Sequence, residues 1–443
     1  MNLHPALSML ATWLLCGLVF AVLPYESIER PMTPAGVSLF ALFVAAFVTG
    51  SLMIPPGRAR ALPTCQVVDA RLPLRLLATA SVAASICLLL DAREKDLFDL
   101  VVAYELRSEA ADALLKAEAS LSSVFFQLAF LLYPAGFAYL AMHTLYAPKL
   151  SAARLLVYGF LPVLLATLVM GGRVPVFYGF LVMVVAWLAR RSVDHPQDRG
   201  ARPLAGRKIH PLALLAAFVA IAIMAAYFAA VFMVRAEVVG GAAGMFELAE
   251  SQWGVGFRGP GSSILFALLG DEGTYLLFVF IWYLVQGLIM GQHLFSAYDG
   301  PAQLGIYGAD LVSALMRRLD PARVADGFDH LLAMNIYGFL PSAWGSLWVD
   351  FGLAGLAFAF VWGVLAALVW RRCVRQRQPH WMVWMPFVSL GIVFSLINTP
   401  LGFTNGLVTH TWVLVAFLLL RVRPQPVPAP LALPVPAAAS VPA

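Results

Sequence analysis

Three arginines occupy positions where a guanidinium group could bind a phosphate ester. Arg173 lies in MGGRVPVF, a short turn between two apolar runs, and Arg235 ends an apolar run in FMVRAEVVGG. Arg258 lies in the Gly/Pro-rich stretch VGFRGPGSS. Guanidinium groups bind phosphate oxygens in pairs and stay charged, so a diphosphate is a suitable ligand. The alternative interpretation is that these arginines anchor the chain at a membrane interface, or that Arg235 pairs with Glu237.

The triplet Asp350-Phe351-Gly352 is also known from protein kinases. A kinase additionally needs a glycine-rich phosphate loop, a lysine strand and an HRD sequence, and none accompanies the triplet. The triplet instead indicates a boundary, with Asp350 ending a polar segment and Gly352 opening an apolar run. Asp350 is then expected at the N-cap of the following helix, a role that does not exclude a chemical one.

The composition excludes an ordinary soluble globular protein. Of the 443 residues, 61% are hydrophobic and only 12% are charged. The surface of a soluble protein must stay mostly polar, so most of this chain is expected to lie in lipid. The net charge of +5 does not indicate nucleic acid, because the basic residues lie mostly in short loops between apolar runs. Neither external histidine, His293 or His330, has a metal-ligand partner at motif spacing, and no metal or cofactor is expected.

The apolar runs predict an all-α polytopic membrane protein, since a helix needs about 17–25 residues to cross a bilayer. Ten runs are counted as crossings, near 6–23, 35–54, 74–90, 121–142, 153–170, 174–189, 211–234, 353–370, 381–399 and 405–421. Five loops between them are basic and are expected in the cytoplasm by the positive-inside rule. They contain Arg58 to Arg71, Lys149 and Arg154, Arg190 to Lys208, Arg371 to Arg377, and Arg421 with Arg423.

One more apolar run, 274–291, complicates the count. If it crossed the membrane, the basic loop after residue 370 would lie outside. We therefore expect a re-entrant or interfacial helix here, preceded by a turn at Asp271 and Glu272. The alternative is an eleventh span with one misplaced basic loop. Ten spans leave both termini in the cytoplasm.

This count divides the chain into four parts. Residues 1–234 form a seven-helix transmembrane region with an external loop at 91–120, and 235–352 form a large external loop domain. Residues 353–421 supply three further transmembrane helices, and 422–443 form a Pro/Ala-rich, disordered cytoplasmic tail. The large loop carries eleven acidic and five basic residues, and all five are arginines. Ionisable residues are nearly absent from the spans, which disfavours the alternative class of transporters and flippases.

The order of these features resembles the bacterial oligosaccharide repeat-unit polymerases, the Wzy-type proteins of O-antigen and exopolysaccharide assembly. The resemblance rests on Gly172-Arg173 in an external turn, Arg235 before the large loop, Asn335-x-Tyr337, and Asp350-Phe351-Gly352-x-x-Gly355. It covers most of the chain through topology. The related O-antigen ligases carry a His-Asn pair where this chain has Met334-Asn335, so the polymerase is favoured and the ligase is the alternative. The general base stays unassigned.

The resemblance implies a membrane glycosyltransferase with a GT-C-like fold in the bacterial inner membrane, with its active face in the periplasm. Its substrates would be a donor and an acceptor glycan, both linked to undecaprenyl diphosphate, and no metal would be needed. The resemblance implies three further partners: the bilayer, a chain-length regulator and a flippase of the same pathway. It does not imply nucleic acid.

The resemblance also implies roles for individual residues. Arg173 and Arg235, with Arg258, would stabilise the departing diphosphate. Asp350, or alternatively Glu237, would accept the proton of the attacking hydroxyl. The residues expected to contact sugar are Asn335, Tyr337 and Trp344.

Overall fold

The computed structural model describes residues 3–22, 24–27, 31–55, 65–94, 123–170, 174–192, 239–257, 260–336 and 340–425, with 222, 225–226, 228–234 and 236–237. Most of these residues are helical, and four short strands form two separate two-stranded ribbons. The expected all-α fold class is confirmed.

Fifteen α-helices and four strands have bounds within the described residues, and the described residues between 222 and 237 are helical as well. The helices are α1 (Pro5–Val22), α2 (Pro34–Leu52), α3 (Arg71–Glu94), α4 (Val124–Leu132), α5 (Ala135–Tyr146), α6 (Ala152–Val169, with a π-helical turn at Leu156–Phe160), α7 (Val174–Ser192), α8 (Gly241–Trp253), α9 (Pro260–Ala297), α10 (Asp310–Leu319), α11 (Pro321–Ala333), α12 (Ser342–Phe351), α13 (Gly355–Trp370), α14 (Met385–Phe394) and α15 (Gly406–Leu419). The strands are β1 (Tyr25–Ser27), β2 (Cys65–Asp69), β3 (Val255–Phe257) and β4 (Arg421–Gln425).

The lengths of the apolar helices make this a multi-pass membrane protein. Eight helical segments in the described part of the chain are long and apolar enough to cross a bilayer, and two shorter apolar segments lie at Pro379–Phe394 and Gly406–Leu419. Every expected span has a helical counterpart; of 211–234, most of which lies outside the described residues, those that are described are helical.

Local sequence signals explain where several helices begin. Thr33 caps α2, its hydroxyl oxygen accepting the N–H of Gly36 at 3.0 Å, and Pro34 follows at the first helical position. Ser123 caps α4 in the same way through the N–H of Phe126, also at 3.0 Å. Both are positions where a hydroxyl followed by an apolar run predicts a helix start.

Contacts between loops collect the basic residues at one end of the bundle, called the basic end here. Strand β2 pairs antiparallel with β4, with Asp69 opposite Arg421, and β2 also contacts the turn Pro379–Trp384. The Tyr146 hydroxyl donates to the Pro379 carbonyl at 2.8 Å. Arg190 donates to the Ala147 carbonyl at 2.7 Å. Elements next to all five predicted basic loops therefore lie together.

The other end of the bundle is formed by loops that the sequence places on the opposite side. Strand β1, between α1 and α2, pairs with β3, which precedes α9. The Tyr133 hydroxyl, between α4 and α5, donates to the Thr404 carbonyl at 3.5 Å, in the segment joining α14 to α15. No strand of one ribbon pairs with a strand of the other among the described residues.

Helix α9 extends across this opposite end. Its helical conformation breaks at Gly270, where φ is 68° and ψ is −177°, one residue before the expected turn. Beyond the break, Tyr25 of β1 donates a hydrogen bond to the Phe278 carbonyl. Fourteen residues further on, the Gln292 side chain accepts the N–H of Thr33 at 3.2 Å. The segment of α9 after the break therefore contacts the short connection between α1 and α2 at two points, fourteen residues apart.

Helices α2 and α13 approach closely through two glycines. A Cβ atom added to Gly50 would lie 2.0 Å from the Phe360 carbonyl oxygen, and one added to Gly363 would lie 2.0 Å from that of Phe47. Small residues at such contacts allow backbones of membrane helices to pack directly against each other. This pair holds α13 and the preceding α12 in place.

Candidate functional site

Polar side chains of distant segments meet at the end opposite the basic end. We call this group the polar junction; it consists of Tyr133, Asp310, Ser346, Asp350, Asn398, Thr399 and Asn405. They come from the junction between α4 and α5, from α10 and α12, and from the 395–405 loop between α14 and α15.

Asp350 binds the backbone of the turn at residues 304–308. One carboxylate oxygen accepts the N–H of Tyr307 at 3.0 Å and the other accepts the N–H of Gly308 at 2.8 Å. The Asp350 carbonyl also accepts the N–H of Leu304 at 2.9 Å. The residue is 2% exposed. A Cβ atom at position 308 would lie 2.5 Å from this carboxylate, which explains the glycine.

The expected helix N-cap at Asp350 is wrong. Asp350 lies in the last turn of α12, and the helix ends at Gly352, whose φ is 56°. The segment before Asp350 is a helix that begins after Pro341 and is packed inside the protein, because Ser342 and Ser346 are both fully buried.

The 395–405 loop holds the same turn from its other side. The Ser346 hydroxyl donates to Asn398 Oδ1 at 3.1 Å, and the Thr399 hydroxyl donates to the Gly308 carbonyl at 3.4 Å. Thr404 and Asn405 have φ values of 51° and 55°, a left-handed conformation that is costly for residues with a side chain. Strained backbone of this kind concentrates at functional sites.

Asp310 and Asn405 lie side by side at the edge of the polar junction. The Asn405 backbone N–H donates to the Asp310 carboxylate. The Asn405 side chain is 1% exposed and donates through Nδ2 to the Phe130 carbonyl at 2.6 Å. Its Oδ1 is buried and has no hydrogen-bond partner among the described residues. The polar junction thus contains a buried acceptor without a donor among the described residues, which is uncommon in folded proteins.

The carboxyl group of Asp310 has an unusual acidity. The surrounding protein disfavours its charged form and raises its pKa from 3.8 to about 6, although part of the residue surface is open to solvent. The hydrogen bond from Asn405 and the positive charge of Arg317 act in the opposite direction. A reachable carboxylate with a pKa near neutrality is suited to accept a proton.

Asn335 has a structural role at the end of α11. Its φ is 53°, and its N–H donates to the Leu332 carbonyl at 2.8 Å. The next N–H, of Ile336, donates to the Leu331 carbonyl at 3.0 Å. These two bonds form a Schellman motif, in which Asn is the usual substitute for Gly. Asn335 is exposed, and its predicted sugar contact stays a prediction.

The other predicted residues do not join the polar junction. Trp344 is fully buried, with its ring 5.8 Å from that of Phe43 and 5.6 Å from that of Trp362, so it offers no free face for a sugar. Glu237 is exposed, near the start of α8. The remaining four lie outside the described residues, and their roles stay predictions: Arg173, Arg235, Arg258 and Tyr337.

Sequence reasoning missed Asp310 and Asn405. The sequence predicts Asn405 as the first residue of a span and does not distinguish Asp310 from the other ten acidic residues of the large loop. The signal that points to the former is NTPLGFTNG, a polar, Gly/Pro-containing sequence between two apolar runs. Nothing local marks Asp310, because its environment comes from a residue 95 positions later in the chain.

No protein-family model, curated protein or solved structure matches this chain. Its class follows from its own architecture, which is that of a multi-pass all-α membrane protein. One end of the bundle carries the basic residues and the other carries the polar junction.

Proposed function

We propose that this protein is a glycosyltransferase that polymerises undecaprenyl-diphosphate-linked repeat units at the periplasmic face of the bacterial inner membrane. The observation that carries the proposal is the position of Asp310, a reachable carboxylate with a pKa of about 6 at the end of the bundle opposite the basic residues. An acceptor hydroxyl needs such a group to take its proton.

The orientation of the molecule supports this placement. Basic loops are retained in the cytoplasm, so the basic end would face the cytoplasm and the polar junction the periplasm. Residue His4, just before α1, contacts Trp370 near the basic end, and β4 lies there as well. The described regions near both termini would then be cytoplasmic.

The contacts of α9 support ten crossings rather than eleven. Its segment after Gly270 contacts the connection between α1 and α2 at two points, Phe278 and Gln292. We propose that α9 lies at the outer membrane interface, where it would cover the end of the bundle beside the polar junction. The basic loop after α13 then lies inside with the other four.

In the proposed reaction an acceptor sugar hydroxyl attacks the anomeric carbon of the donor glycan. A carbon–oxygen bond forms to the acceptor, and the bond from the anomeric carbon to the diphosphate oxygen breaks. The hydroxyl proton passes to the Asp310 carboxylate, and the electron pair leaves with undecaprenyl diphosphate. Arg173 and Arg235, with Arg258, remain the proposed groups that stabilise the diphosphate charge.

Asp350 has a different part in this scheme. Both of its carboxylate oxygens already accept backbone N–H groups, so we assign it the positioning of residues 304–308 and, through that turn, of Asp310. Glu237 and Asn335 would lie on the periplasmic side, where contact with glycan is open to test.

A reconstitution assay tests the proposal. Purified protein in proteoliposomes is given lipid-diphosphate repeat units isolated from a strain that lacks it, and the products are separated by length. We expect a ladder of lengths from the wild type and from Asp326→Asn, an exposed control on α11, and at least a hundredfold loss in Asp310→Asn.

Three outcomes separate the possibilities. The absence of any ladder, with single units transferred to lipid A-core when that acceptor is supplied, would indicate the ligase instead. Movement of intact units across the membrane without bond formation would indicate a flippase. A ladder that survives Asp310→Asn would leave the polymerase standing and overturn the role of Asp310.

A further inference from the structure

A pocket of about 290 Å³ opens at the basic end, far from the polar junction. It lies between the N-terminus of α3, the end of α15 and the ribbon of β2 and β4. Its lining residues are Asp69, Arg71, Leu72, Arg75, Leu419 and Arg421.

The charge of this pocket is strongly positive. Asp69 is the one acidic lining residue, and its carboxylate is already engaged by the Arg423 guanidinium at 3.4 Å and by the Arg71 N–H at 3.1 Å. The side chains of Arg71, Arg75 and Arg421 are exposed and form no hydrogen bond or ion pair with another described residue. The three lining arginines and Arg423 carry four positive charges against the one negative charge of Asp69, which leaves a net charge of +3.

Backbone geometry adds to this positive potential. The pocket lies at the first turn of α3, a helix of 24 residues, and the N–H groups of a helix N-terminus attract anions. Ribbon pairing sets Arg421 opposite Asp69, so the strand holds this arginine at the same rim as the helix start. Three unpaired guanidinium groups around a cavity form a site for a phosphate ester.

One side of the pocket is apolar and continues along the bundle. Leu72 is 48% exposed and Leu76, one turn further along α3, is 38% exposed. Leu418 on α15 is 69% exposed. These side chains lie on helices that cross the membrane, where exposed leucines contact acyl chains. A ligand of this pocket would therefore have a phosphate next to a hydrocarbon chain.

We propose that this pocket binds the phosphate of an anionic glycerophospholipid from the leaflet at the basic end. Arg71, Arg75 and Arg421 bind the phosphate oxygens, and Leu72, Leu76 and Leu418 contact the acyl chains. The bound lipid bridges α3, α15 and the β2–β4 ribbon and thereby stabilises the basic end. The site is independent of the proposed glycan chemistry.

Thermal unfolding in lipid nanodiscs tests this site. The full chain is placed in discs of phosphatidylcholine alone or with a fifth of phosphatidylglycerol, and native mass spectrometry counts the retained lipids. We expect phosphatidylglycerol to raise the Tm of the wild type and to remain bound. The affinity should fall about tenfold for each of Arg71→Gln, Arg75→Gln and Arg421→Gln, since each loses a charge-assisted hydrogen bond.

Matched variants and a soluble phosphate complete the experiment. Arg318→Gln, an exposed arginine on α10, should keep the full rise in Tm, and Arg75→Lys should keep part of it. Single substitutions at exposed positions leave the core unchanged, so the folded state remains measurable. An unchanged rise in all three pocket variants overturns the proposal. An equal rise with inorganic phosphate in phosphatidylcholine discs also overturns it, because the ligand is then soluble.

Discussion

The carboxylate of Asp350 and the N–H of Gly308 form a 2.8 Å hydrogen bond that joins α12 to the turn before α10. Because Gly308 has no side chain, the carboxylate approaches the backbone closely, and it accepts the N–H of Tyr307 as well. Asp310 follows two residues later. The orientation of α10 therefore depends on a buried side chain 42 residues away.

Removal of the Asp350 carboxylate is expected to destabilise the protein. In Asp350→Ala the N–H groups of Tyr307 and Gly308 lose their acceptors in a buried site, which costs about 2–4 kcal/mol of unfolding free energy. Asp350→Asn keeps one acceptor oxygen and should lose less. Denaturant unfolding in detergent measures both. The control is Asp329→Ala, an exposed acid on α11, and equal stability of Asp350→Ala and this control would contradict the assigned role.

The acidity of Asp310 predicts a pH dependence of transfer. The carboxylate is the active form, so kcat/KM should rise with pH up to about 6 and stay level above it. Below that pH the rate should fall about tenfold per unit. Asp310→Asn should lose this dependence together with most of the rate, and Asp326→Asn should keep it. A wild-type kcat/KM that does not change between about pH 5 and about pH 7 would count against this role.

The same acidity predicts the opposite trend for stability. The folded state favours protonated Asp310, since its pKa is raised from 3.8 to about 6. The contribution of this residue to stability is therefore largest below 3.8 and decreases as pH rises through about 6. As the pH rises from 3.8 to about 6, the free energy of unfolding of the wild type should therefore decrease relative to that of Asp310→Asn. Unfolding at a series of pH values in detergent measures this difference.

The position of α9 predicts which side of the membrane its two ends face. Glu272 and Ser296 are exposed near the two ends of the long part of α9. In a cysteine-free background, Glu272→Cys and Ser296→Cys should both react with an impermeant maleimide from the periplasmic side. Arg75→Cys, in the basic end, should be protected until the membrane is opened. Labelling of only one end of α9 from the periplasm would mean that the helix crosses.

Hydrophobic patterning was sufficient to predict the class of fold. Runs of apolar residues became helices, and the basic loops that the positive-inside rule places together are in contact, as at Arg190 and Ala147. The break near Asp271 was also expected and occurs at Gly270. These features depend on composition and local sequence, which a single sequence contains.

The residues of the polar junction were harder to predict because their environments come from distant segments. Asp350 is a predicted helix N-cap. The sequence does not reveal that the backbone of Gly308 lies against its carboxylate. Asn335 looked like part of a binding motif, and its left-handed conformation instead ends α11. Trp344 is a predicted sugar contact, and packing between α1, α2 and α13 encloses it.

The pairing of β2 with β4 has a consequence for biogenesis. Asp69 and Arg423 are 354 positions apart in the chain, so this contact forms after the ribosome has made nearly every helix. Closing so long a loop is slow compared with forming helices or neighbouring contacts. Until then the ends of α3 and α15 at the basic end are not joined by the ribbon. Pairing of the ribbon is therefore a late step of assembly. A chain that ends before residue 421 would leave β2 without its partner strand and expose it to quality-control proteases.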